Sequence, residues 1–218
     1  MGHSADSMTM APAECDDCAG AVPCADRYQR GATLVEAAIA SLVFFSVLLG
    51  LFEFGWAFRD YMTTADIAKN ASRAGSAAGN AGTADYVIVK SVKKGASALN
   101  SGQLQYVVIF DAGSSTASLP TLSPTCAAGT PVTGLCNVYT FADLTRPSSD
   151  YGCSTSLPSP DRFWCPSTRR INASASTGGP PNYLGVYVKV KHNAITRFLG
   201  SGVMFTDQAI LRIEPEER

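Results

Sequence analysis

The chain has 218 residues, a formal charge of −1 and 46% hydrophobic residues, enough for one ordinary domain with an anchoring segment. Only 16% of the residues are charged, and they form no basic run or basic helix face, so nucleic acid is excluded as an expected partner. The first 31 residues hold five acids against two arginines, a net of −3, too small a bias to define a partner.

Cysteine placement divides the chain. Cys15, Cys18 and Cys24 precede a long apolar run, and Cys126, Cys136, Cys153 and Cys165 follow it. An even set in a Pro/Ser/Thr-rich stretch suits disulfides formed in an oxidising space, whereas an odd trio suits thiols kept reduced in cytosol. Four cysteines allow three pairings; short-loop closure favours Cys126 with Cys136 and Cys153 with Cys165.

Ala32 to Phe58, ATLVEAAIASLVFFSVLLGLFEFGWAF, carries only Glu36 and Glu53 as charges. As a helix from Leu34 to Phe58 it reaches roughly 38 Å, longer than the ~30 Å hydrocarbon core. Trp56, Phe58 and Tyr61 suit an outer boundary, where amphipathic rings collect. A removable signal sequence has an apolar stretch of only ~7–15 residues before a small-residue cleavage site, and this run is too long. The arginines on either side do not settle orientation. The cysteine division places the N-terminus in the cytoplasm.

Beyond Phe58 the spacing of Tyr61, Ala65, Ala68, Ala71 and Ser72 continues the helix as an amphipathic stalk to about Arg73, with Gly75 and Gly79 as stops. Ala84 to Leu99 reads as a second helix with Tyr86, Val87, Val89, Val92 and Leu99 on one face, although its β-branched content also fits a strand. Gln105–Phe110, Asn137–Phe141, Gly185–Lys191 and Phe205–Ile213 read as strands. The third alternates most cleanly, with Val186, Val188 and Val190 on one face and Tyr187, Lys189 and Lys191 on the other. The expected fold is α+β: a long N-terminal helix packed on a small antiparallel sheet of about four strands, with loop-rich sequence over 114–181.

Little in the chain points to catalysis. The histidines are His3 and His192; the second, at a strand end beside Lys191, is expected to be solvated and not a general base. No phosphate loop, His-Glu-x-x-His helix or calcium-loop spacing appears. Cys15-Asp-Asp-Cys18 with Cys24 and His3 is a weak zinc pattern, because one CxxC lacks a second. Asn172-Ala-Ser is a glycosylation sequon by letter. Phe163-Trp164 beside Cys165 is a candidate contact surface, with local packing as the plainer reading. No cofactor, metal or small-molecule substrate is expected, and no enzyme activity.

Glu36 carries the functional argument. A carboxylate one turn into an apolar membrane helix costs a few kcal/mol and needs a partner, unless it snorkels to the headgroups. Arg30-Gly31-Ala32-Thr33-Leu34-Val35-Glu36 resembles the type IV prepilin processing site, in which a peptidase cuts after glycine and the fifth residue of the mature chain is glutamate. The resemblance implies a cut between Gly31 and Ala32, and pairing of Glu36 with the freed amine of a neighbouring subunit.

Residues 30–79 are similar to the TadE-like proteins of the tight-adherence (Flp) pilus system. They share an RGA-x-LVE start, a second Glu-Phe-Gly (Glu53, Phe54, Gly55) and a small-residue helix around Ala71, Ser72, Arg73, Ala74 and Gly75. The closing VYVKVKHNAITRFLGSGVMFTDQAILRIEPEER, with Arg212, Glu214 and Pro215, looks like that family's final strands. The resemblance implies a leader over 1–31, a transmembrane helix over 32–58, a stalk over 59–79 and an extracytoplasmic domain over 80–218. It further implies a minor pilin in the bacterial cytoplasmic membrane, whose partners are a prepilin peptidase, other Tad subunits, the inner-membrane platform and the bilayer. The competing expectation is an uncleaved, signal-anchored module that binds a cell-wall or extracellular ligand.

Overall fold

A computed structural model describes residues 24–113, 122–153, 159–171, 180–195, 200 and 202–214, with side chains from residue 31 onward. His3, Cys15, Cys18, Asn172, Pro215 and the side chain of Cys24 lie outside the described residues. The chain divides into two compact units, residues 1–48 and 49–218. Helix α1 is Cys24–Ala78 and α2 is Ala84–Ala96. Strands β1 (Leu104–Asp111), β2 (Cys136–Thr140), β3 (Tyr183–His192) and β4 (Val203–Arg212) form one antiparallel sheet in the order β2-β1-β3-β4. The architecture is the expected α+β: a long apolar helix, a four-stranded antiparallel sheet and two disulfides.

In the first unit the helix is exposed along residues 31–45. Its two serine hydroxyls are satisfied internally, Ser41 Oγ donating to the Ala38 carbonyl at 2.9 Å and Ser46 Oγ to that of Leu42 at 2.8 Å. Neither therefore presents an unmet donor to an apolar surrounding.

In the second unit α1 and α2 cover one sheet face. Ile67, Ala68 and Ala71 of α1 join Ile88, Val89 and Val92 of α2 over Val107, Ile109, Val186, Val188 and Val190. The alternation read along β3 is thus the observed one. The two helices meet through reciprocal glycines. A Cβ on Gly75 would lie 2.7 Å from Ile88 Cδ1, and one on Gly95 would lie 2.7 Å from Ile67 Cγ1. Gly75 is accordingly inside the helix and not its stop. The turn comes at Gly79, whose φ of +61° is the left-handed conformation that closes helices.

Helix α2 buries Asp85, Ile88, Val89 and Val92, while Val87 is 41% exposed. The buried face is therefore rotated from the one read off the sequence, because Ile88 and the ion pair of Asp85 take the inward positions. The opposite sheet face packs Val108, Phe110 and Ala112 against Cys126 and Cys136. Gly185 sits under the Phe110 ring, with no room for a Cβ.

The disulfides are Cys126–Cys136 and Cys153–Cys165, separated by 10 and 12 residues. Around them the chain is built from short pieces: the one-turn helix α3 (Pro124–Ala127), strand β2 and, among the described residues, three 3-10 turns. Replacing Cys126 and Cys136 together by serine is expected to lower stability by about 3 kcal/mol, because the short loop is then unrestrained in the unfolded chain. Urea unfolding of the full chain in detergent, with and without the substitutions, measures this; an unchanged midpoint would contradict it.

Candidate functional site: the helix start and the buried base of the domain

Gly31, Ala32 and Glu36 lie on continuous α-helix and are all exposed. Glu36 is four residues beyond Ala32, so the two share a helix face. Glu36 has no polar partner among the described residues. Ala37, Ala38, Ala40 and Ser41 keep the same stretch slender, which permits close helix approach. A Cβ at Gly31 or Gly50 would meet nothing within 4 Å, so neither glycine serves packing among the described residues.

The second charge of the apolar run behaves differently. Glu53 is 2% exposed, and its Oε1 accepts the backbone N–H of Ile195 at 2.8 Å. Seven residues on, and so on the same helix face, Asp60 is 4% exposed. His192, at the end of β3, stands between them: Nδ1 lies 2.8 Å from Asp60 Oδ2, and Nε2 lies 3.6 Å from Glu53 Oε1, an ion-pair separation too long for a hydrogen bond. Gln103 Nε2 donates to the same Asp60 oxygen at 2.7 Å, and the Gln103 carbonyl accepts from Lys191 N at 2.7 Å.

His192 is 4% exposed, so the expectation of a solvated strand end is wrong. The two carboxylates on α1 draw it inward, and the hairpin covers it. Sequence reading missed Asp60 and Gln103. The available signal for Asp60 was its seven-residue spacing from Glu53, which places two acids on the stripe that also carries Ile67 and Ala71; Gln103 carried no comparable signal. The arrangement clamps the exit of α1 to β1 and to the β3–β4 hairpin.

A second buried polar centre organises the disulfide region. Asp85 Oδ1 meets Arg169 Nη2 at 2.6 Å as an ion pair, with both side chains fully buried. Asp85 Oδ2 accepts from Tyr139 OH at 2.6 Å and Asn137 Nδ2 at 2.9 Å. Burial, and then the Asp85 carboxylate, hold the Tyr139 hydroxyl well above its usual pKa, so it remains a donor. Arg169 also stacks over Trp164, 4.1 Å from the ring centroid, and Trp164 is 5% exposed. The Phe163-Trp164 pair is therefore anchored by local packing through its tryptophan. Asp161 closes the neighbouring turn by accepting Gly152 N at 2.7 Å and Cys153 N at 3.0 Å. Asp143, held below the usual carboxylate range by hydrogen bonds from Thr140 and Arg146 against the opposing effect of its burial, caps the first 3-10 turn.

Among the described residues no group of three His, Cys, Asp or Glu side chains could hold a metal ion. The helix from Gly31 to Ala78 is long and apolar enough to cross a membrane. The family model described as TadE-like protein matches residues 31–73. No curated protein and no solved structure matches the chain. The matched segment runs from the start of the apolar helix past the clamp acids Glu53 and Asp60, and over that segment the chain is similar to the TadE-like proteins.

Proposed function

We propose that the chain is a minor pilin of a tight-adherence pilus, anchored in the bacterial cytoplasmic membrane with its N-terminus in the cytoplasm, and that it acts in pilus biogenesis and adhesion as a structural subunit without catalytic activity. A prepilin peptidase removes residues 1–31, Ala32 supplies the new amine, and Glu36 pairs with such an amine on a neighbouring subunit. The domain with its two disulfides stands outside the cytoplasm, where oxidising conditions keep such bonds formed. The partners are the peptidase, the other Tad subunits, the assembly platform and the bilayer.

The observation that carries this reading is the family match beginning at Gly31, the residue on the leader side of the proposed cut. In support, Glu36 is exposed on an apolar helix without a polar partner among the described residues, where a counter-charge from another chain relieves the cost of burying it. Mass spectrometry of the protein purified from membranes tests the reading. The expected mature N-terminus is Ala32. A functioning protein that retains residues ahead of Gly31 would instead support an uncleaved signal-anchored module and overturn the proposal.

A further inference from the structure

We propose that Ile195, Val203 and Met204, beside the paired ends of β3 and β4, form a second membrane contact, seated in the outer interface of the bilayer next to α1. This rests on the reading of α1 as a membrane anchor. Ile195, Val203 and Met204 are 63%, 47% and 45% exposed. Val203 pairs with His192 and Met204 with Lys191. Adjacent residues on a strand point to opposite faces, so this strand end is apolar on both sides. From Phe205 onward ordinary alternation returns, with Thr206 and Gln208 exposed between less exposed Phe205, Asp207 and Ala209. An apolar strand end that neither face of the sheet covers is suited to an apolar surrounding.

The hydrogen bond from Ile195 N–H to Glu53 Oε1 fixes the depth of that end. Glu53 is the first charge beyond the uncharged stretch that follows Glu36, so it marks the outer end of the apolar run, and a backbone bonded to Glu53 lies near that end too. From there outward α1 carries exposed Phe54, Phe58, Tyr61 and Met62, and the Tyr61 ring meets that of Phe205 at 5.8 Å, so aromatic and apolar groups extend from the helix to the hairpin. Lys191, exposed and opposite Met204, supplies a cation suited to phospholipid headgroups. This placement also accounts for the burial of Glu53. At the edge of the hydrocarbon its carboxylate receives a protein donor, the Ile195 amide, in place of the water it would otherwise need.

The test uses the full chain in lipid nanodiscs, with Cys15, Cys18 and Cys24 replaced by serine and the four disulfide cysteines retained. An environment-sensitive fluorophore is attached to Ile195→Cys, Met204→Cys, Val43→Cys or Ser149→Cys, and the lipids carry a spin-label quencher either high on the acyl chain, to reach labels 195 and 204, or near its end, to reach label 43. Labels at 195 and 204 are expected to emit to the blue and to lose about half their intensity to the lipid quencher, as for a group seated ~5–10 Å into the interface; the label at 149 is expected to respond only to aqueous iodide. If labels 195 and 204 behave like 149 while label 43 is lipid-quenched, the hairpin contact is wrong and the anchor stands. If label 43 also escapes lipid quenching, the anchor reading fails and the contact with it. Protection from iodide without lipid quenching, growing with protein density, would assign the patch to a second copy and overturn the proposal.

Discussion

Arg169→Ala is expected to destabilise the folded domain by about 3–5 kcal/mol, the usual loss when one member of a buried ion pair is removed. Asp85 and Arg169 are both fully buried, so the carboxylate left behind is shielded from bulk water and has lost its counter-charge. Tyr139 and Asn137 continue to donate to Asp85 Oδ2, yet two neutral donors do not replace a guanidinium. The position of Asp85 in the first turn of α2 gives only partial relief through the helix dipole. Loss of the stack on Trp164 adds to the effect, because the pair ties α2 and β2 to the loop that carries Cys165. Urea unfolding followed by near-ultraviolet circular dichroism measures it. Combining Arg169→Met with Asp85→Asn is expected to recover much of the loss, since no charge then remains to be desolvated. A single-substitution effect below about 1 kcal/mol, the range of exposed pairs, would show that the pair is solvated and refute the argument.

The elements that could be read from the sequence are those whose period survives packing. β3 alternates over Val186, Val188 and Val190 because one sheet face meets the helices, and the apolar run of α1 declares itself by length. What escaped depends on contacts between distant segments. Gly75 looks like a stop, yet it allows Ile88 to approach, and nothing near position 75 encodes that neighbour. The inward turn of Asp85 is set by Arg169, 84 positions later. His192 looks solvated beside Lys191 until the Glu53 and Asp60 carboxylates are placed opposite it. Polar pairs formed across such separations leave no periodicity, so the clamp at the domain base was legible only in its helical half. Gly31 and Glu36 stand out in the sequence because the pattern they belong to, which resembles a prepilin processing site, is local.

Glu36→Ala is expected to abolish fibre assembly while leaving the folded domain and the membrane level of the protein intact. Glu36 is exposed, without a polar partner among the described residues, so its removal breaks no contact described within the chain. Deleting a carboxylate from an apolar helix makes membrane insertion more favourable, by a few kcal/mol on insertion scales. Assembly is expected to move the other way. If the carboxylate meets the Ala32 amine of a neighbour in a low-dielectric core, its removal strands that amine at a cost of about 3–5 kcal/mol, more than a hundredfold per subunit contact. These opposite signs separate an assembly role from simple destabilisation, which would lower membrane level and fibre yield together. Counting fibres by electron microscopy beside quantitative immunoblots of the membrane fraction reads both quantities. Normal fibre numbers in the Glu36→Ala strain would mean that the carboxylate only snorkels to the headgroups, and that the helix start contributes hydrophobic length without a specific pairing.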